Sequence, residues 1–205
     1  LGLRRNQGRV LEPACGDGAF AASLPDCVAI EIDPRHCPAA ALNLDFFAYA
    51  ETEKFDTIIG NPPYVRYQDI PAPTRHLLRS ELFDARTNLY LFFIEKCIRH
   101  LTPRGELIFI TPRDFLKATA AVKFNRWLYE QGTITDVIEL GDARVFADAT
   151  PNCLIWRFER GNSMRETRYV DASHCDSLET ALGGSAGERR KFTECAGHLL
   201  FTRQD

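Results

Sequence analysis

Asn61-Pro62-Pro63-Tyr64 brings together an amide, two backbone-fixing rings and a phenol, directly after the apolar run Thr57-Ile58-Ile59-Gly60. Prolines on successive residues set φ and remove two backbone donors, so the neighbouring carbonyls become fixed acceptors without ladder partners. The Asn61 side-chain oxygen and the Pro62 carbonyl can together accept the two hydrogens of one NH₂ group, while Tyr64 offers a flat face to a ring. That set suits the exocyclic amine of a planar base. The apolar run reads as a buried strand, and strand ends are where α/β folds place their chemistry.

A second constellation lies upstream. Arg9-Val10-Leu11-Glu12-Pro13 reads as a short strand, and Ala14-Cys15-Gly16-Asp17-Gly18-Ala19-Phe20 as a glycine turn leading into a helix that reaches about Leu24. Glycines one residue apart let backbone approach a ligand, and a helix start adds unpaired N–H groups. The strand Val28–Ile32 then carries Glu31 at its end, about twenty residues beyond the glycine turn, where a carboxylate can accept both hydroxyls of a ribose. Asp33-Pro34 reads as the cap and first turn of a helix. Glu31 has no such local role.

These residues need a scaffold. Strands near residues 10, 28, 43 and 56, separated by helical stretches, predict a doubly wound parallel sheet with right-handed crossovers. From Val65 to Thr87 regular patterning gives way to Arg66, Tyr67, Pro71, Pro73, Arg75, Arg79 and Arg86, a loop whose basic and aromatic residues suit phosphates and exposed bases. It is expected to be mobile without DNA. A helix is predicted from Asn88 to about Leu101, stopped by Thr102-Pro103-Arg104-Gly105, then a strand to Thr111, a helix over 113–131 and a strand over Thr135–Leu140. The strand Cys153–Phe158 follows a loop too short for a crossover and must run antiparallel. Beyond Gly161, Tyr169-Val170 reads as one more short strand, and Gly183 to Gly187 as a linker.

Taken together, Leu11 to Phe20 and Asn61 to Tyr64 resemble the adenine-N6 DNA methyltransferases of the gamma arrangement, and most nearly the catalytic domain of type IIG restriction-modification enzymes. The resemblance spans roughly residues 9–158. It implies a Rossmann-like class I methyltransferase fold, with a mostly parallel seven-stranded sheet, an antiparallel last strand and helices on both faces. It implies S-adenosylmethionine as cofactor, held by Glu12, Ala14, Cys15, Gly16, Gly18, Glu31, Ile32, Asp45, Phe46, Asn61 and Pro63. In that family Glu12 lies near the methionine end, Asp45 accepts from the cofactor's adenine amine and Phe46 stacks on its ring. Asn88-Leu89-Tyr90 matches a position packed against the cofactor pocket. Catalysis falls to Asn61, Pro62 and Tyr64, with Phe146 stacking on the opposite face of a base flipped from double-stranded DNA. Arg66, Arg75 and Arg79 are the expected phosphate contacts.

The tetrapeptide also occurs in methyltransferases acting on protein glutamine and ribosomal guanine. Those enzymes usually show Asp-x-Gly where this chain has Glu12-Pro13-Ala14-Cys15, which favours DNA adenine. A glutamine or RNA-base methyltransferase, or a non-catalytic subunit binding cofactor or DNA, are the alternative readings. The family's cofactor-contacting segment upstream of the first strand is absent from residues 1–205, as is a recognition domain. Residues 1–160 are expected as the catalytic domain and 161–205 as an extension within a longer protein that carries recognition or nuclease domains.

Composition narrows the classes. With 45% apolar and 11% aromatic residues among 205, the chain has the make-up of an ordinary globular domain. No run approaches the roughly 18 apolar residues of a membrane helix, so cytoplasmic residence is the expectation. Seven cysteines, odd in number and without a Cys-x-x-Cys pair, argue against a disulfide framework and a zinc site. The net charge of −3 is low for a DNA-binding protein, but residues 60–130 carry 11 basic and 7 acidic side chains. The positive excess therefore follows the catalytic turn.

Overall fold

The computed structural model describes residues 1–83, 87–141, 152–173 and 187–203. The chain separates into two compact units between Ile108 and Phe109.

The first unit holds β1 (Val10–Glu12), β2 (Cys27–Glu31), β3 (Leu42–Asn43), β4 (Phe55–Gly60), the larger part of β5 (Leu101–Pro112) and the helices α1 (Ala72–Leu77) and α2 (Leu89–His100). Its strands lie in the order β3-β2-β1-β4-β5. β1 runs parallel to both β2 and β4, and β2 is parallel to β3. Strands covered on both faces read as unbroken apolar runs, and β4 does so, with Ile58 and Ile59 buried. In α2 nearly every side chain is buried, so its aromatic stretch is core.

Both crossovers beside β2 lack the predicted helices. After Gly18 there is one α-type bond, from the Ala22 N–H to the Gly18 carbonyl at 2.9 Å, and then a 3₁₀ turn at Ala21–Ser23. After Asp33 a single turn closes through the Cys37 N–H to the Asp33 carbonyl at 3.0 Å. Pro25 and Pro38 end these stretches before propagation can offset the cost of nucleation. The segment expected as a mobile loop after Val65 instead carries a 3₁₀ turn at Tyr67–Asp69 and then α1, which has proline in its first turn. β5 also begins directly where α2 ends, so the predicted stop at residues 102–105 is already strand.

Glu106, fully buried on β5, accepts from the N–H groups of Arg5 and Asn6 at 3.0 and 2.8 Å and from the Thr57 hydroxyl at 3.0 Å. It clasps the segment that precedes β1.

The second unit holds α3 (Val122–Gln131), β6 (Gly132–Glu139), β7 (Cys153–Arg160), β8 (Glu166–Asp171), β9 (Glu188–Cys195) and β10 (His198–Arg203). Its strands lie in the order β7-β6-β8-β9-β10. β7 is antiparallel to β6, as expected, whereas β8 is parallel to β6. The seven expected strands are present, as is the further short strand read at Tyr169-Val170, which is β8, and β9 and β10 add two more. The β9–β10 hairpin turns on Ala196 and Gly197, both at positive φ, the conformation that matches strand twist in a two-residue loop. The helix predicted over 113–131 breaks into 3₁₀ turns at Arg113–Leu116 and Thr119–Ala121 before α3. The buried Asn125 amide secures that break by donating to the Phe115 and Gly197 carbonyls at 2.8 Å each. Trp156, fully buried, centres this core and donates its indole N–H to Thr111 Oγ1 at 2.9 Å.

Candidate active site

The described candidate residues all lie in the first unit, at or just beyond the C-terminal ends of its parallel strands. At the end of β4, Asn61 is exposed and Pro62 is buried, so the turn is anchored by its ring and open at its amide. The Tyr64 hydroxyl donates to Asn61 Oδ1 at 2.7 Å. The Tyr64 ring meets the ring of buried Tyr90 edge-on, with centroids 5.8 Å apart and planes at 85°. Tyr90 opens α2, whose cap Asn88 accepts from the Tyr90 N–H at 3.4 Å, and the Leu89 N–H donates to the Val65 carbonyl at 2.9 Å. The Asn61–Tyr64 turn is thus pinned to the start of a buried helix. Sequence reasoning placed Asn88 and Tyr90 near the cofactor pocket, but the hydroxyl-to-amide latch within the tetrapeptide had no sequence signal beyond a spacing of three residues.

The glycine turn sits between β1 and β2. Gly16 and Gly18 have φ of +53° and +84°, and a side chain at Gly16 would meet nothing within 4 Å, so it is backbone conformation that calls for glycine there. The Gly16 N–H donates to Glu31 Oε2 at 2.8 Å and the Asp33 N–H to Glu31 Oε1 at 2.8 Å. Glu31 therefore does have a local role: it staples the glycine turn to the end of β2. A carboxylate oxygen has two acceptor sites, so both oxygens keep a lone pair for a diol. Asp33 caps as predicted, accepting from the Arg35 N–H at 2.9 Å and pairing with its guanidinium at 2.6 Å, though no helix follows. Ile32, expected against the cofactor, is 55% exposed.

Glu12 is 2% exposed and accepts from the Ala21 N–H at 2.8 Å. Burial pushes its carboxyl up to about 7, against the pull of that N–H and with help from neighbouring Asp17. Burial likewise pushes the Cys15 thiol up to about 11, with Glu12 and Glu31 adding to the effect, so Cys15 is a neutral packing group. Ala14 is half-buried beside it.

Asp45 caps the 3₁₀ turn Phe46–Ala48, accepting from the Phe47 N–H at 2.8 Å on Oδ1 and from the Thr74 hydroxyl at 2.5 Å on Oδ2. Phe46 differs from expectation. Its ring is 2% exposed and stacks on Phe93 at 5.2 Å, with the Lys96 ammonium 5.4 Å from its centroid. Stacking on a base needs an open face, which this ring lacks; it packs instead among Phe47, Phe93 and His100. Arg66 and Arg79 are exposed, and Arg75 lies 5.8 Å over the Tyr67 ring, all on the segment that follows the catalytic turn. Phe146 lies outside the described residues.

The donor set fits a cationic nucleoside. Carboxylates stand at the ends of β1 and β2 on either side of an open glycine turn, and Asp45 follows β3.

The family model for Eco57I restriction-modification methylases matches residues 30–146. A type II methyltransferase of Thermus thermophilus, M.TthHB8I, is 32% identical over 174 residues, covering 75% of this chain and 40% of that protein. Among solved structures, a Listeria monocytogenes protein assigned to the class I S-adenosylmethionine-dependent methyltransferases superposes with a TM-score of 0.65 at 17% identity, over 83% of this chain and 62% of that one. The type IIG restriction endonuclease BpuSI superposes with a TM-score of 0.67 at 14% identity, over 91% of this chain and 28% of that one. The chain spans about 40% of the length of that Thermus relative and of the Haemophilus influenzae type II methyltransferase M.HincII, which is 25% identical over 92% of this chain.

Proposed function

Since this chain belongs to the Eco57I restriction-modification methylase family, we propose that it methylates DNA, and specifically that it transfers the methyl group of S-adenosylmethionine to the N6 amine of an adenine flipped out of the duplex. The observation that carries this reading is the catalytic turn: an exposed Asn61 amide beside a fixed proline pair and a held Tyr64 ring.

The amine of adenine cannot be reached inside a duplex, so the base must leave the stack and the pocket must offset the lost stacking. Tyr64 takes one face of the base. S-adenosylmethionine supplies, when bound, a methyl group activated on a sulfonium. Glu31 accepts from the ribose hydroxyls and Asp45 from the adenine amine of that cofactor, while Glu12 faces its charged end. Asn61 Oδ1 and the Pro62 carbonyl accept from the two N–H bonds of the target amine, whose lone pair is otherwise delocalised into the ring, and draw the nitrogen toward tetrahedral geometry. The Tyr64 hydroxyl, already on Asn61 Oδ1, fixes the amide for that task. The proton left on nitrogen after transfer passes to solvent. Positioning and preorganised dipoles supply the rate.

The test is incubation of the full-length protein with duplex DNA and methyl-labelled cofactor, followed by digestion to nucleosides. Label is expected in N6-methyldeoxyadenosine, lost in Asn61→Ala and lowered but still substantial in Tyr64→Phe, which retains the ring and gives up the hydroxyl that holds Asn61. Label in cytosine, RNA or a protein glutamine would overturn the proposal.

A further inference from the structure

We infer that Thr74 is a positioning residue for Asp45, and that through it the segment after the catalytic turn is tied to the adenine end of the cofactor site. The inference rests on the reading of Asp45 given above. Thr74 is the buried residue of α1, at 6% exposure, while Leu77 on the same helix is 39% exposed. The chain enters α1 from buried Ile70, and within the helix it is Thr74 rather than Leu77 that turns inward, so the hydroxyl bond to Asp45 Oδ2 is the tie between α1 and the turn at Phe46–Ala48. At 2.5 Å this is a short hydroxyl-to-carboxylate bond, the charge-assisted kind.

Seen from Asp45, the same bond fixes the carboxylate. Oδ1 is held by the Phe47 N–H, Oδ2 by Thr74, and the turn that follows is fastened on its far side by Lys96, whose ammonium donates to the Phe47 and Tyr49 carbonyls at 3.2 and 2.8 Å. With one lone pair left on each oxygen, the carboxylate presents an acceptor in a single orientation. Any adjustment of Asp45 toward an incoming amine is felt by α1, and α1 carries Arg75 and leads into Arg79. Cofactor and DNA binding are then linked, and linkage acts equally in both directions.

The experiment is calorimetric titration of the full-length protein with S-adenosylhomocysteine and with S-inosylhomocysteine, in which an oxygen replaces the amine. Thr74→Val deletes the hydroxyl at nearly constant shape, Thr74→Ser retains it, and Thr74→Ala repeats the deletion if the valine does not pack. Deleting the hydroxyl is expected to weaken the adenosyl ligand about three- to tenfold, to leave the inosyl ligand unchanged, and to be rescued by serine. A merely structural role would weaken both ligands alike, and that result, or unchanged binding of both, would overturn the inference. Asp45→Asn separates the two levels. If it weakens the adenosyl ligand while Thr74→Val does not, only the inference fails; if it has no effect, or the parent does not bind the adenosyl ligand, the reading of the site fails and takes the inference with it.

Discussion

Replacing Glu12 with glutamine should stabilise the ligand-free protein at neutral and alkaline pH and weaken its hold on the cofactor. Glu12 is 2% exposed, and the charged group acting on it, Asp17, has its own sign. Its carboxyl is raised from 4.5 to about 7. A group with a raised folded-state value binds its proton more tightly folded than unfolded, so its effect on stability is unfavourable wherever the unfolded chain ionises it. The deficit opens as pH rises above about 4.5 and is complete above about 7. At about 1.4 kcal/mol per unit, it reaches up to about 3 kcal/mol. Glutamine keeps the oxygen that accepts from the Ala21 N–H and cannot ionise. Urea denaturation should therefore place Glu12→Gln well above the parent at pH 8 and close to it at pH 5. Cofactor affinity in the parent should rise with pH through 7 and be weak and flat in the variant, because the charge that costs the empty fold is complementary to a cationic ligand. A stability difference between parent and variant that is the same at both pH values would refute the reasoning.

Two further outcomes follow from the same geometry. Glu31→Ala should cost cofactor binding about 1–3 kcal/mol by calorimetry, and protease cleavage near Gly16 should rise at the same time, because the carboxylate staples the glycine turn as well as facing the ribose; unchanged affinity would remove Glu31 from the site. Arg66, Arg75 and Arg79 replaced together by alanine should lower the salt slope of DNA binding by about one per lost phosphate contact, and an unaltered slope would reduce the local positive excess to composition alone.

What the sequence disclosed, and what it hid, divides along physical lines. Strands such as β4 and β7 were legible because burial leaves an apolar run of strand length, and the direction of β7 agrees with the reversed last strand that the family resemblance implies. The helices expected after Gly18 and Asp33 were misread because cap and glycine signals mark where a helix could start, not whether the chain beyond is long enough for one. β9 was missed because Glu188-Arg189-Arg190-Lys191 looks like a solvated charge run, whereas the alternation that buries Phe192, paired with Phe201 of β10, is visible only once the hairpin is closed. In the site, Glu31 stood out because a carboxylate at the end of an apolar strand is costly without a task, Asn61 because of the tetrapeptide it opens, and Asp45 only through the family resemblance. Their partners did not. The Thr74 hydroxyl reaches Asp45 across 29 positions, and no pattern in the chain announces such a bond.

The clasp made by Glu106 bears on how this protein can drift. In Arg5 and Asn6 it grips main-chain amides, which every amino acid except proline possesses, so this part of the hold on the lead-in to β1 survives any substitution there but proline. The Asn6 side chain adds a lesser bond of its own, accepting from the Gly8 N–H at 3.4 Å. The part of the grip that heredity must guard most closely therefore sits on one distant glutamate, outside the stretch it holds.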